Sequence, residues 1–147
     1  MTHFKHILLP TDFEASSSNA IELGVGLART FGAKLTLVHV WEIPIYPYME
    51  FMLNSELIAG IEARAQERLG VALTSVQRVL PNADSKLKTG LPWSGILEAI
   101  GETQADLVVM GTHGRRGVSH AVLGSVAEKL VRLSPIPVLT VGPARAP

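Results

Sequence analysis

A chain of 147 residues with 47% hydrophobic side chains is the size of one domain, 1–147, built round a single buried core. Its 13 basic and 13 acidic residues cancel, which excludes the broad cationic footprint of a protein held on nucleic acid by phosphate contacts. The absence of cysteine excludes disulfides and thiolate metal sites; with no signal-peptide core before Asp12 and no spanning apolar run, the chain reads as cytoplasmic and not inserted in a membrane.

Phe4 to Leu9 reads as the first strand, followed by an amphipathic helix from Ser16 to Phe31 in which Ala20, Leu23, Leu27 and Phe31 recur at helical spacing. Ser16 to Asn19 give that helix a polar start, Asn19 and Glu22 make a capping pair, and Gly32 ends it. Leu35 to Val40 is the second strand. The connection from Trp41 to Phe51 is rich in aromatics and reads as core closure, with a lid as the sharper alternative. A second helix from Ser55 to Val79 carries Ile58, Ile61, Ala65, Leu69, Ala72, Val76 and Val79 on one stripe, with Arg64 and Arg68 off it. A short strand from Ser85 to Thr89 leads to a third helix that Pro92 opens, its buried face made by Trp93, Ile96, Leu97 and Ile100. Leu107 to Met110 is the fourth strand, Ser119 to Leu133 the last helix, and Val138 to Val141 the fifth strand. Every crossover is helix-length, so the sheet is expected to be parallel and covered on both faces: a doubly wound α/β domain with strand order 3-2-1-4-5.

Between the fourth strand and the last helix stands Gly111-Thr112-His113-Gly114-Arg115-Arg116-Gly117, with Leu123-Gly124-Ser125-Val126 beyond it. Closely spaced glycines at the end of a buried strand let the backbone take φ > 0 and point successive N–H groups at one anion, and the next helix adds its positive N-terminus. Arg115 and Arg116 offer guanidinium groups, with a solvated loop as their alternative, and Ser125 offers a hydroxyl one turn into the helix. The spacing is neither a Walker A loop nor a dinucleotide fingerprint; the Gly-x-Gly at Gly24 and Gly26 falls within a helix and reads as close packing. In a 3-2-1-4-5 sheet the crevice lies between strands 1 and 4, so Pro10-Thr11-Asp12 and the glycine loop face each other across it. Asp12 is placed to accept from ribose or adenine donors, and the backbone of Val40 to meet an adenine edge.

Pro10-Thr11-Asp12-Phe13, Val38-His39-Val40, Val109-Met110-Gly111-Thr112-His113-Gly114, Leu123-Gly124-Ser125-Val126 and Pro137-Val138-Leu139-Thr140-Val141 together resemble the universal stress protein family, in its ATP-binding branch, over nearly the whole chain. The resemblance implies a Rossmann-like sheet of the adenine nucleotide alpha hydrolase kind. It implies that Asp12 and Val40 bind the adenosine, that Gly111, His113, Gly114 and Gly124 hold ribose and phosphates by backbone contacts, and that Ser125 and Val126 hold the outer phosphates, with Pro10, Thr11, Met110 and Arg115 beside them. The ligand is expected to be ATP, ADP or AMP, with Mg²⁺ or Mn²⁺ carried by its phosphates and no metal ligands from the protein.

His3 and His6 read as exposed rings at a strand start, His39 as a packed core histidine, and Asp106 as a turn residue at the end of the sheet away from the crevice. His113 reads either as a backbone member of the loop or as a side chain that meets phosphate. With no P-loop lysine, no second carboxylate beside Asp12 and no base for water, the sequence names no catalytic residue and points to a nucleotide-occupied stress sensor with at most slow ATP hydrolysis. The alternative is a nucleotide-independent dimeric interaction module of the same fold. Val138, Leu139, Thr140 and Val141 form an apolar sheet edge without guarding charge, and the resemblance implies an antiparallel homodimer there.

Overall fold

A computed structural model describes residues 3–43, 55–112 and 123–143. Among them the chain runs β1 (His6–Pro10), α1 (Ala15–Phe31), β2 (Lys34–Trp41), α2 (Ser55–Gln77), β3 (Asp84–Thr89), α3 (Pro92–Thr103), β4 (Leu107–Gly111), α4 (Ser125–Leu133) and β5 (Val138–Val141). The strands form one sheet in the order β3-β2-β1-β4-β5, and all four pairings are parallel. This is the expected architecture.

The apolar runs explain which strands are central. Ile7, Leu8 and Leu9 of β1, Leu35, Leu37 and Val38 of β2, and Val108 and Val109 of β4 are almost wholly buried, because helices cover both faces of the sheet. On one face α1 and α2 pack Ala20, Ala28, Leu69 and Val76 against Ile7, Leu9 and Val109. On the other, α3 and α4 pack Ile96, Ala99, Ile100 and Leu130 against Leu8, Val38 and Val108. Gly24 lets α1 approach β1, since a methyl group there would lie 2.5 Å from Leu9 Cδ1, while Gly26 faces open space; only the first of the two glycines serves packing.

Four further expectations change. Helix α1 starts at Ala15 with Glu14 as its cap, so Asn19 and Glu22 stand inside the helix and make no capping pair. The Glu14 N–H instead donates to Asp12 Oδ1 at 2.9 Å. Helix α2 stops at Gln77, and Val79 lies in the following turn, 46% exposed. The His6 ring is half-buried rather than exposed, hydrogen-bonded through Nε2 to Thr36 Oγ1 at 2.8 Å. Helix α4 starts at Ser125, because Leu123 is non-helical and Gly124 is extended (φ −61°, ψ 159°) with its N–H held by the Thr112 carbonyl; residues 119–122 of the expected helix lie outside the described residues. Gly32 ends α1 as expected, in the left-handed conformation, and Ala33 N–H returns to the Ala28 carbonyl.

Candidate functional site

At the carboxyl ends of the strands, where β1 and β4 lie side by side and their connections leave to opposite faces, a cleft of about 1250 Å³ opens. An open parallel sheet places its ligands at this switch point. Pro10, Thr11, Asp12, Val40, Met110, Gly111, Gly124, Ser125 and Val126 all line the cleft, so every described residue singled out from sequence for nucleotide binding is brought to one place. His113, Gly114 and Arg115 lie outside the described residues.

The floor is backbone. Val38 gives its carbonyl to Thr11 N–H at 2.9 Å on the β1 side, whereas Trp41 gives its carbonyl to Gly90 N–H at 3.0 Å on the β3 side. Backbone groups alternate sides along a strand, so Val40 turns its N–H and C=O toward β1, past the point where β1 ends at Pro10. They are left for a ligand with an adjacent donor and acceptor.

Asp12 stands at the exit of β1. Its Oδ1 accepts from Ser17 Oγ at 2.6 Å and from Glu14 N–H at 2.9 Å, while its own N–H donates to Ser17 Oγ at 3.2 Å. These bonds lock the carboxylate over the start of α1 and leave Oδ2 without a partner among the described residues. Thr11 beside it is buried, its hydroxyl accepting from Phe13 N–H at 3.0 Å and its carbonyl from His39 Nδ1 at 2.7 Å. His39 is the core histidine the sequence suggested, and its bond supports the turn.

On the opposite wall, Gly111 closes β4 against the start of α1. A methyl group on it would meet Ser16 Oγ at 2.9 Å and the Ser16 backbone at 3.0 Å, so glycine is needed for close approach; neither Gly111 nor Gly124 has φ > 0, which corrects the conformational reason given above for these two. Thr112 N–H donates to the Val141 carbonyl, and Gly124 N–H donates to the Thr112 carbonyl, which fixes both ends of the glycine loop beside each other. Ser125 is the first residue of α4 rather than one turn inside it. Among the described residues no side chain caps this helix, and its first intrahelical bond runs from Glu128 N–H to the Gly124 carbonyl. The N–H groups of Ser125, Val126 and Ala127 therefore lack intrahelical acceptors and, with the helix dipole behind them, suit an anion.

Helix α2 supplies a wall that the sequence reading did not find. Arg64 and Arg68, one turn apart, both line the cleft, and the Arg68 guanidinium lies 4.6 Å from the centroid of the Phe13 ring. Their position off the apolar stripe marked them as exposed, but only the packing of α2 on β2 and β3 turns that exposed face toward the cleft. Among the described residues no group of three His, Asp or Glu side chains could hold a metal ion.

The family model for the universal stress protein family matches residues 3–142. The chain belongs to that family. A universal stress protein from Thermus aquaticus is 37% identical over 142 residues, covering 94% of this chain and 98% of its own. Among solved structures, a universal stress protein from Lactobacillus plantarum superposes with a TM-score of 0.81 at 23% identity, covering 96% of this chain and 99% of its own. A member from Arabidopsis thaliana, solved with AMP bound, superposes with a TM-score of 0.66 at 19% identity over 95% of this chain and 92% of its own. The universal stress protein fold thus accounts for the sheet order. No helix among the described residues is long and apolar enough to cross a membrane.

Proposed function

We propose that this universal stress protein binds an adenine nucleotide, ATP or its products ADP and AMP, in the cleft and acts as a stress-response sensor or regulator with at most slow hydrolysis. One juxtaposition carries the reading: the backbone edge of Val40, unpaired on its β1 side among the described residues, the Asp12 carboxylate and the start of α4 surround a single cleft. These three features complement, in turn, the donor and acceptor edge of adenine, the hydroxyls of a ribose and the phosphates. Pro10, Thr11 and Met110 shape the space between them, while Gly111 and Gly124 allow close approach. His113, Gly114 and Arg115 complete the phosphate end by the family pattern. The AMP found in the Arabidopsis thaliana relative supports the same ligand class.

Mg²⁺ or Mn²⁺ would be carried by the phosphates, since Asp12 Oδ1 already holds two hydrogen bonds. No lysine is present among the described residues that line the cleft, which favours retention of the nucleotide over rapid turnover.

Calorimetric titration with ATP, ADP, AMP and cyclic AMP in Mg²⁺, with mass spectrometry of any ligand released from the purified protein, tests this reading. Gly124→Ala is the matched variant: its φ of −61° suits any residue, so the fold stays intact while ATP weakens by about tenfold or more through the lost approach. Full ATP affinity in Gly124→Ala, or no nucleotide bound by the unaltered protein, rejects the site.

The β5 edge favours a second property, a homodimer. Among the described residues Val138 to Val141 pair with β4 on one side only, and Leu139 is exposed with no charge in the strand.

A further inference from the structure

Phe13 adopts φ 68°, the left-handed region that bulky side chains rarely enter. Such a conformation persists only where its surroundings over-determine it, and it concentrates at ligand sites. Besides its packing against the apolar core, three contacts among the described residues hold Phe13 here. Its N–H donates to Thr11 Oγ1 at 3.0 Å. Its ring lies 4.4 Å from the His39 imidazole, which is itself tied to the Thr11 carbonyl. The Arg68 guanidinium of α2 stands over the ring at 4.6 Å. The strained turn is also the one that presents Asp12, because the next N–H after Phe13, that of Glu14, is the donor that fixes Asp12 Oδ1.

Two of the contacts come from residues on the turn or at the end of the neighbouring strand. The third comes from another layer of the molecule. Arg68 makes no ion pair among the described residues, so its guanidinium is free to sit on the ring. We infer that Arg68 is a positioning residue: its cation, seated on Phe13, holds the strained turn in the form that aims the Asp12 carboxylate at ribose hydroxyls, and it thereby gives the cleft a preference for ribonucleotides. This rests on the adenine-nucleotide reading and adds the sugar selectivity of the site and the residue behind it.

A contact can shift the turn only by its own interaction energy, so an exposed arginine over a half-buried ring limits the effect to about threefold to fivefold. That loss falls on ligands that use Asp12 and on no others. The experiment compares ATP with 2′,3′-dideoxy-ATP, which offers no hydroxyl, by calorimetry in Mg²⁺ for the unaltered protein, Arg68→Met and Arg68→Lys. Arg68 is exposed on its helix, so both variants fold. Arg68→Met weakens ATP about threefold to fivefold and leaves dideoxy-ATP unchanged, Arg68→Lys restores ATP, and Arg68→Met added to Asp12→Ala changes neither. Equal weakening of both ligands, which is what direct contact with phosphate or a purely structural role produces, overturns the proposal while the nucleotide reading stands. Unchanged ATP affinity in Arg68→Met also overturns it, and absence of ATP binding by the unaltered protein overturns both.

Discussion

A methyl group built on Gly24 would lie 2.5 Å from Leu9 Cδ1, whereas one built on Gly26 would meet nothing within 4 Å. The two glycines share a helix and differ only in what faces them. Gly26→Ala removes unfolded-state freedom at no steric cost and is expected to stabilise the protein by about 0.5–1 kcal/mol. Gly24→Ala must displace a fully buried leucine and is expected to destabilise it by about 1–3 kcal/mol. Urea denaturation midpoints decide this, and shifts of the same sign in both variants contradict the packing argument. Gly111 belongs with Gly24, since its added methyl would press on the Ser16 backbone, which cannot rotate away as a side chain can. For Gly111 the left-handed conformation expected from the glycine spacing is absent, and close approach to Ser16 explains the glycine instead; Gly124 likewise has negative φ. The approach of Gly111 to Ser16 is not visible in a string of letters, because it depends on the distance to a residue far away in the chain.

At the end of the sheet remote from the cleft, three strands are joined by side chains. His6 of β1 bonds Thr36 Oγ1 of β2 at 2.8 Å, and Thr36 Oγ1 donates to Asp84 Oδ1 of β3 at 2.7 Å, with Lys34 at 3.1 Å from Asp84 Oδ2. Burial, helped by the Lys34 ammonium, holds the His6 imidazole below its ordinary value, with the Thr103 carbonyl and the Asp84 and Asp106 carboxylates pulling the other way. For Asp84 burial alone would raise the carboxyl, but the Thr36 hydroxyl and Lys34 outweigh it and hold it below the usual carboxylate range. Both groups therefore release protons more readily in the folded protein than in the unfolded chain. Stability should fall as the solution is acidified, first below about pH 6.5 as the unfolded-state histidine gains its proton, then below about pH 4 as Asp84 does. Denaturation midpoints between about pH 7.5 and about pH 2.5 test the direction, and a flat profile sinks it; Thr36→Val should flatten the carboxylate limb below about pH 4. The strands themselves were legible because apolar runs such as Leu107 to Met110 have one reading between turn residues. The ends of α1 and α4 were not. In α1 the serines look like caps, yet Asp12 takes the Glu14 N–H from outside the helix; in α4 the apolar spacing runs on toward Ser119, but the bond from Gly124 to Thr112 starts the helix at Ser125. The α2 wall of the cleft was missed for a related reason, since Arg64 and Arg68 gain their place from how α2 lies on the sheet.

The two edges of the whole sheet are treated differently, and that difference bears on assembly. At β3, Lys86 and Lys88 stand on the edge strand and pair with Glu98 and Glu102 of α3, so charge blocks another strand from adding there. At β5 the strand is Val-Leu-Thr-Val, Leu139 is 38% exposed, and Val131 and Leu133 of the adjacent α4 are about half exposed. An antiparallel pairing of two β5 edges would bury those groups about a twofold axis, and Leu139 lies near the middle of its four-residue strand, so it meets its own copy or a close neighbour of it. Leu139→Lys then sets two like charges against each other in an apolar contact, and it does so without disturbing the protomer, whose core Leu139 does not enter. Multi-angle light scattering should report the mass of a dimer for the unaltered protein and of a monomer for Leu139→Lys, with the same melting behaviour when measured at high dilution. Val71→Lys, at an exposed position on α2 far from β5 in the sheet order, is the control and should leave the dimer mass unchanged. A Leu139→Lys protein that keeps the dimer mass moves the interface off β5; an unaltered protein that is already a monomer removes it.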